Sequence, residues 1–319
     1  MLLNLIFIIL GIAIVLWGAD RLTEGSVAVA ERMKIPQIVI GLTIVAMGTS
    51  MPEFCVSLIS ALKGTPDLAV GNVVGSNIFN TLLIVGAAAT IAPMAILRST
   101  VMKDIPFALV ASVILMMMCF DGKIGRIDAV ILTLLFITFM YMTLKGAKLE
   151  KQELEKENEL AEKALEVVPK MSSTMSVVWI IVGLACLIGG STLFVEGASK
   201  FATSLGVSEA VVGLTVVAGG TSLPELATSV VSARKGNSGI AIGNVLGSNV
   251  FNVLGILGVT GVICPMQLQG ITITDLSMLV ISMIMIWFFS FTKYVIQRWE
   301  GLILSATYVG YIAYLISNV

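Results

Sequence analysis

The chain has 319 residues, of which 57% are hydrophobic and 12% are charged, and its formal net charge is −1. Its mean hydropathy is +1.01, and apolar runs of membrane-spanning length recur along it. This composition excludes an ordinary soluble protein and gives no indication of nucleic-acid binding, so we predict an all-α polytopic membrane protein.

The absence of histidine limits the kinds of ion that the protein could bind. The chain has no histidine, which is the commonest transition-metal ligand and the commonest proton shuttle near neutral pH. Any bound ion is therefore expected to be held by oxygen atoms, which suits hard cations such as Ca²⁺ and Na⁺. The four cysteines lie in apolar segments without metal-ligand spacing and are predicted to be buried free thiols: Cys55, Cys119, Cys186 and Cys264.

Apolar runs bounded by charged residues and by Gly or Pro predict ten membrane-spanning helices. Their approximate cores, in chain order, are 2–18, 37–61, 69–93, 105–120, 127–144, 176–194, 209–233, 240–264, 273–291 and 301–317. The first run has no basic stretch before it and has a counterpart deep inside the chain. We therefore interpret it as a retained helix and not as a signal peptide.

The second predicted helix contains a polar motif that ends in Gly-Thr-Ser-Met-Pro-Glu at Glu53. Helical spacing places the oxygen atoms of Thr49, Ser50 and Glu53 on a common side. Pro52 lacks a backbone N–H, so it predicts a kink or break that frees carbonyl groups of the preceding turn. Those carbonyls need partners in a medium without water, and a bound cation would supply them.

The third predicted helix carries a second motif, Gly-Asn-Val-Val-Gly-Ser-Asn-Ile-Phe-Asn, which ends at Asn80. Asn72, Ser76 and Asn80 are spaced i, i+4 and i+8 and therefore share a face. Gly71 and Gly75 form a small-xxx-small pattern, which allows a neighbouring helix to approach closely. Taken alone, the Asn residues could equally serve only as hydrogen-bonding partners between helices.

A charged segment follows the fifth predicted helix. Lys and Glu are interspersed between Lys145 and Lys170 with a spacing that allows a short helix with i,i+4 pairs. We interpret the segment as a solvated cytoplasmic connector; a regulatory segment is the alternative. It is too short for a folded regulatory domain.

Both motifs recur in the second half of the chain, where they end at Glu225 and Asn252. Residues 41–94 and 213–266 align without a gap at a constant shift of 172, with about 30 of 54 positions identical. The sequence thus predicts a first repeat over 1–145, a charged linker over 146–172 and a second repeat over 173–319. Because five helices per repeat is an odd number, the second repeat should enter the membrane from the opposite side, which makes the repeats inverted.

Two glutamates form the centre of the predicted site. A carboxylate near mid-membrane costs about 2.5–3.5 kcal/mol unless something compensates it, and none of the four motif copies contains Lys or Arg. Cations or protons must therefore neutralise Glu53 and Glu225. Two intramembrane glutamates, each beside a helix-breaking proline, are difficult to explain by packing and predict one cation site shared by the halves.

The distribution of basic residues predicts the orientation. If the N-terminus is outside, 15 of the 19 Lys and Arg residues fall on the inner side. The prediction is a multi-pass protein of the cell membrane with both termini extracellular and the central linker cytoplasmic.

Together, the four motif copies resemble the two α-repeats of Na⁺/Ca²⁺ exchangers in the Ca²⁺/cation antiporter superfamily, in a prokaryotic-type form without regulatory domains. The resemblance covers nearly the whole chain. It implies a secondary antiporter, not an enzyme, that exchanges Na⁺ for Ca²⁺ by alternating access, with helices 2–18 and 176–194 moving against a packed core. Three-for-one exchange would make transport electrogenic. The implied partners are these two ions, as substrates, and the lipid bilayer, with no cofactor, no nucleic acid and no obligatory protein partner.

The same resemblance implies a set of ion ligands when it is carried over by position. These ligands are Ala46, Thr49, Ser50, Glu53, Ser76, Asn80, Ala218, Thr221, Ser222, Glu225, Ser248 and Asn252, with Ala46 and Ala218 acting through their carbonyls. The two glutamates would share Ca²⁺, and Na⁺ would use the same glutamates with flanking oxygens. Some family members have aspartate at the position of Asn252, notably those that co-transport K⁺, so K⁺ dependence is not expected here.

Other classes of function stay open on the residues alone. In a Ca²⁺/H⁺ antiporter, protonation of Glu53 and Glu225 would replace Na⁺ binding, although the adjacent Thr and Ser oxygens favour Na⁺. A cation channel is less consistent with inverted halves and broken central helices. An intramembrane enzyme is not expected, because the chain offers no His base, no paired Asp site and no nucleophile beside a general base.

Overall fold

The computed structural model describes residues 1–160, 171–205 and 218–317, with the side chains of 149–160 and of Ala218 left out. Its described part is helical apart from four two-residue strands. The first half contains α1 (Leu2–Met33), α2 (Gln37–Thr49), α3 (Met51–Leu62), α4 (Pro66–Ile91), α5 (Thr100–Asp121) and α6 (Arg126–Leu160). The second half contains α7 (Ser173–Ser204), α8 (Ala218–Thr221), α9 (Leu223–Arg234), α10 (Ser238–Ile263), α11 (Ile273–Ser290) and α12 (Arg298–Ser317).

The helices fit a membrane protein. Eight described helices are long and apolar enough to cross a bilayer, and the pair α2 and α3, bent by 47° at a short break, makes a ninth candidate. The break confirms the kink predicted from Pro52, which occupies the first turn of α3. Of the predicted core 209–233, residues 209–217 lie outside the described chain, and α8 and α9 are its remainder.

Four short strands connect the two halves. Strand β1 (Met94–Ala95) pairs with β4 (Val295–Ile296), and β2 (Lys123–Ile124) pairs with β3 (Met266–Gln267), both antiparallel. A shift of 172 residues carries β1 onto β3 and β2 onto β4. The two ribbons are therefore equivalent, and each takes one strand from each half.

The halves also exchange helix contacts. A Cβ added at Gly86 of α4 would lie 2.7 Å from the carbonyl of Gly301 of α12, and one at Gly258 of α10 would lie 2.9 Å from the backbone of Thr133 of α6. About 78% of the most apolar window of α10 and 67% of that of α4 are buried, against 17% for both α6 and α12. Helices α4 and α10 are therefore the centre of the molecule.

Helices α1 and α7 form a separate antiparallel pair. Cβ atoms added at Gly18 and Gly183 would each lie within 3.0 Å of the other residue's carbonyl oxygen. The same close approach recurs every seventh residue, at Gly11 and Gly25 of α1 and at Gly190 and Gly197 of α7. Backbone-to-backbone packing of this kind needs glycine, because any side chain would separate the helices.

Both of these helices are longer than the cores 2–18 and 176–194 suggest. Charged residues from Asp20 to Glu24 were expected to end the first span, yet α1 continues to Met33. The charges are tolerated because they form ion pairs with one another and with Lys235. The prediction of buried cysteines was wrong for three of the four thiols, since only Cys119 is buried and Cys55 is exposed.

Candidate cation site

The two motif glutamates lie in the first turns of α3 and α9. Both side chains are fully buried, and a helix N-terminus favours a carboxylate electrostatically. Each helix is preceded by a serine at the N-cap position, Ser50 and Ser222, whose hydroxyl makes no capping bond to its own helix. These hydroxyls are therefore available for contacts elsewhere.

The serines contact the glutamate of the opposite half. Ser50 Oγ donates to Glu225 Oε1 at 2.8 Å, and Ser222 Oγ donates to Glu53 Oε1 at 2.9 Å. Ser222 Oγ also lies 3.2 Å from Ser76 Oγ. Reciprocal bonds of this kind place both carboxyl groups at one point between the halves.

Four further oxygens of these side chains lack a hydrogen-bond donor among the described residues. They are Oε2 of Glu53, Oε2 of Glu225, Oδ1 of Asn80 and Oδ1 of Asn252, and all four are buried. An unsatisfied buried acceptor costs about 1–3 kcal/mol, and more if it is charged. All four atoms are acceptors, and neither glutamate forms an ion pair with a described Lys or Arg. Bound cations are the partners that acceptors without donors require.

A second group of oxygens surrounds the carbonyl of Ala46. This carbonyl accepts the Ser50 N–H at 3.0 Å, and the hydroxyls of Thr49 and Ser248 lie 3.3 and 3.4 Å from it. The sequence predicted that the helix break frees this carbonyl, and that prediction was wrong for Ala46. Its carbonyl keeps its helical hydrogen bond and faces α10.

In the second half, the equivalent of Thr49 is Thr221, which is half-buried. The side chain of Ala218, the equivalent of Ala46, is not among the described side chains. The structure thus brings the predicted side chains from both halves towards one another, with Thr221 at the edge.

Two asparagines outside the predicted ligand set support the glutamate turns. Asn72 Nδ2 donates to the Glu53 carbonyl at 3.2 Å, and Asn244 Nδ2 donates to the Glu225 carbonyl at 3.3 Å. Asn244 Oδ1 also accepts the Thr49 hydroxyl at 3.0 Å. Sequence reasoning placed these asparagines on the site face of the helix without assigning them this role; their recurrence at the shift of 172 was the available signal.

Glycines let the central helices approach closely. A Cβ added at Gly243 of α10 would lie 2.6 Å from the Ile38 carbonyl of α2, and one at Gly247 would lie 2.6 Å from the Leu42 carbonyl. This confirms the predicted small-xxx-small face of α10. The positions equivalent to Ile38 and Leu42 in the second half are 210 and 214, which lie outside the described chain. The predicted contact face at Gly71 and Gly75 therefore stays a prediction.

Three helices contain a wide π-helical turn close to these residues. The turns are Gly41–Val45 in α2, Phe79–Ile84 in α4 and Phe251–Ile256 in α10. Such turns are rare and occur often at functional sites. The last two begin one residue before Asn80 and Asn252, so they determine where these side chains leave the helix. No sequence signal predicted them.

Comparisons with known proteins are consistent with this geometry. A family model described as "Sodium/calcium exchanger protein" matches residues 3–145 and 175–317. Sodium/calcium exchanger MaX1 of Methanosarcina acetivorans is 31% identical, with 98% of each chain covered. Inner membrane protein YrbG of Escherichia coli is 33% identical, over 89% of this chain and 88% of its own. A solved structure of the sodium-calcium exchanger NCX_Mj, soaked with Na⁺ and Ca²⁺, superposes with a TM-score of 0.84 at 32% identity, covering 98% of each chain.

Proposed function

The chain belongs to the sodium/calcium exchanger family, and from this we propose that it is a secondary antiporter that exchanges Na⁺ for Ca²⁺ across a membrane. The family is one of transporters and not of enzymes. The observation that carries the proposal is the buried pair Glu53 and Glu225, each with one oxygen bonded by the opposite half and one oxygen without a donor among the described residues. The transported ions are its substrates, and we propose no cofactor beside them.

The donor set suits the proposed ions. Ca²⁺ takes six to eight oxygen ligands from carboxylates, amides and carbonyls, and two carboxylates neutralise its charge. We propose that the ions are held by the residues that the family resemblance implies. These are Thr49, Ser50, Glu53, Ser76, Asn80, Thr221, Ser222, Glu225, Ser248 and Asn252, with the carbonyls of Ala46 and Ala218.

Competition for the glutamates would couple the two fluxes. If both kinds of ion need Glu53 and Glu225, they cannot occupy the centre together, and Na⁺ entry expels Ca²⁺. With three Na⁺ per Ca²⁺, one surplus positive charge moves in each cycle, worth about 2.3 kcal/mol per 100 mV across the full potential. Transport is then electrogenic.

The topology that we propose has ten spans in two inverted halves, 1–145 and 173–319, joined by the linker 146–172. The equivalence of the β1–β4 and β2–β3 ribbons under the shift of 172 supports a two-fold relation between the halves. The basic residues support extracellular termini and a cytoplasmic linker. Helix α6 extends through the first part of that linker to Leu160.

Alternating access would come from the α1–α7 pair moving against the central helices. At one end, α1 is joined to α9: Thr23 Oγ1 lies 2.9 Å from Ser232 Oγ, and Lys235 pairs with Asp20 and with Glu24. The shift of 172 puts Thr192 at the position of Asp20 and Val195 at that of Thr23, so α7 cannot repeat the Asp20 and Thr23 contacts with α3. Glu196, at the position of Glu24, pairs with Lys200 of its own helix. We propose that this end is the cytoplasmic one and that it is closed here.

The test of the proposed function is ⁴⁵Ca²⁺ uptake into proteoliposomes preloaded with Na⁺, K⁺ or acid. We expect uptake to depend on internal Na⁺ and to increase when the inside is made positive. Three Na⁺ leave for each Ca²⁺ that enters, so one net positive charge moves outward in each cycle. The potential is set with K⁺ and valinomycin. Uptake driven by a pH gradient, with no response to Na⁺, would instead support a Ca²⁺/H⁺ antiporter.

A further inference from the structure

Two buried asparagines, Asn77 and Asn249, connect the halves beside the cation site. Neither belongs to the proposed ligand set. Asn252 Nδ2 donates to Asn77 Oδ1 at 2.9 Å, and Asn80 Nδ2 donates to Asn249 Oδ1 at 3.3 Å. Each proposed ligand asparagine is therefore bonded by an asparagine of the opposite half.

These bonds determine which end of a carboxamide faces the site. An asparagine has an oxygen at one end of its carboxamide and an NH₂ group at the other, and a cation can be bound only by the oxygen. The NH₂ groups of Asn80 and Asn252 donate to Asn249 and Asn77. The Oδ1 atoms of Asn80 and Asn252 are buried and have no donor among the described residues. A flipped amide would point two N–H donors at the cation.

The orientation of the two supporting asparagines is itself determined. Asn77 Nδ2 donates to the backbone carbonyl of Asn249 at 3.0 Å, and Asn249 Nδ2 donates to Thr81 Oγ1 at 2.7 Å. Because both NH₂ groups already have acceptors, it is the oxygens of Asn77 and Asn249 that face Asn252 and Asn80. Asn77 and Asn249 donate to different kinds of acceptor because the position equivalent to Thr81 is Val253, which has no hydroxyl.

We propose that Asn77 and Asn249 are positioning residues that hold the carboxamide oxygens of Asn252 and Asn80 towards the transported cation. The inference rests on the proposed function. It implies that each half orients a ligand of the other half, so the ligand set is complete only while α4 and α10 are in register.

A double-mutant cycle tests this role. Asn77→Ala is made in the wild-type protein and in an Asn252→Asp background, and the Ca²⁺ concentration for half-maximal Na⁺-driven uptake is measured with the maximal rate. We expect Asn77→Ala to raise that concentration about tenfold in the wild-type protein, equal to about 1.4 kcal/mol. In the Asn252→Asp background we expect less than about twofold, because a carboxylate presents an oxygen in either orientation.

Asn249→Ala is the matched control. It acts on Asn80, so its effect should stay the same in the Asn252→Asp background. Equal effects of Asn77→Ala in both backgrounds, or a fall only in maximal rate or folded fraction, would show a structural role and overturn the inference. If the wild-type protein shows no Na⁺-driven uptake, the proposed function fails, and equilibrium ⁴⁵Ca²⁺ binding to the purified variants still decides the positioning role.

Discussion

At the scale of single residues, the site is a set of oxygen atoms whose partners come from the other half of the chain. Glu53 and Glu225 each have one carboxylate oxygen bonded by a serine and one to which no residue of the described chain donates. The sequence identified both glutamates, because an acidic residue beside a helix-breaking proline is costly in a membrane. It could not identify the cross-half bonds, since they join residues about 170 positions apart.

Neutralising either glutamate should abolish Ca²⁺ transport. We expect Glu53→Gln and Glu225→Gln each to reduce Na⁺-driven ⁴⁵Ca²⁺ uptake to background, because one remaining carboxylate cannot balance a divalent cation. Glu300→Gln is the control: Glu300 is also fully buried, but its Oε2 accepts the Gln297 N–H at the start of α12. Robust uptake in either site variant would show that the centre is misassigned.

The serines that bond the glutamates should matter for affinity. A hydrogen bond to a charged group contributes about 1.5–3 kcal/mol, so Ser50→Ala or Ser222→Ala should weaken Ca²⁺ binding about tenfold or more. Equilibrium ⁴⁵Ca²⁺ binding measures the change. Ser112→Ala is the matched control, because among the described residues the buried Ser112 hydroxyl bonds only the Ala108 carbonyl of its own helix. Unchanged affinity in both site variants would exclude the serines from the site.

At the scale of helices, glycine determines how closely the elements pack. The repeated glycines of α10 were predicted to form a contact face, and they do so against α2. The seven-residue glycine spacing of α1 and α7 is equally present in the sequence. Such spacing alone does not say which helix is the partner.

Filling the α2–α10 contact should destabilise the protein. A Cβ at Gly243 would lie 2.6 Å from a backbone carbonyl, and overpacking of this kind costs about 1–3 kcal/mol. We expect Gly243→Ala to lower the Tm of the detergent-solubilised protein by several degrees. Gly310→Ala in α12 should not lower it, because no atom lies within 4 Å of the added Cβ. Similar Tm values for the two variants would contradict the close contact.

At the scale of the whole molecule, the two ends differ although the halves are similar. Helix α1 is bonded to α9 through Thr23 and through the ion pairs of Lys235 with Asp20 and Glu24. In α7 the positions of Thr23 and Asp20 carry Val195 and Thr192, which cannot form these contacts, and Glu196, at the position of Glu24, pairs with Lys200 instead. The duplication by itself predicts two equivalent ends, while the substitutions that accumulated between the halves give only one of them these contacts between α1 and α9.

Removing the ion pairs should loosen the closed end. Partly exposed ion pairs contribute about 0.2–1 kcal/mol each, and Lys235 forms two of them. Lys235→Ala should therefore raise hydrogen–deuterium exchange of the α9 amides by about twofold to thirtyfold. Lys63→Ala, the equivalent change in α3, should leave exchange of its own helix unchanged, since Lys63 forms no ion pair within the described chain. Identical exchange in the wild-type protein and Lys235→Ala would show that the pairs do not hold this end closed.

The sequence by itself determined the class of protein, the approximate helices and the two glutamates at the centre of the candidate site. These follow from local information: apolar runs long enough for a bilayer, the i, i+3 and i+4 spacing of oxygens, and an alignment of the chain with itself. Family membership followed from the same motifs, because all four copies carry it together.

Only the tertiary structure decided how the halves fit together. In the structure, each serine bonds the glutamate of the opposite half. Asn77 and Asn249 are the partners of Asn252 and Asn80. Helix α1 continues through its charged residues to Met33. The physical reason is that a sequence pattern reports how one element meets its surroundings. The partner of a polar atom depends on which helix packs beside it, and that is set by close contacts between segments far apart in the chain.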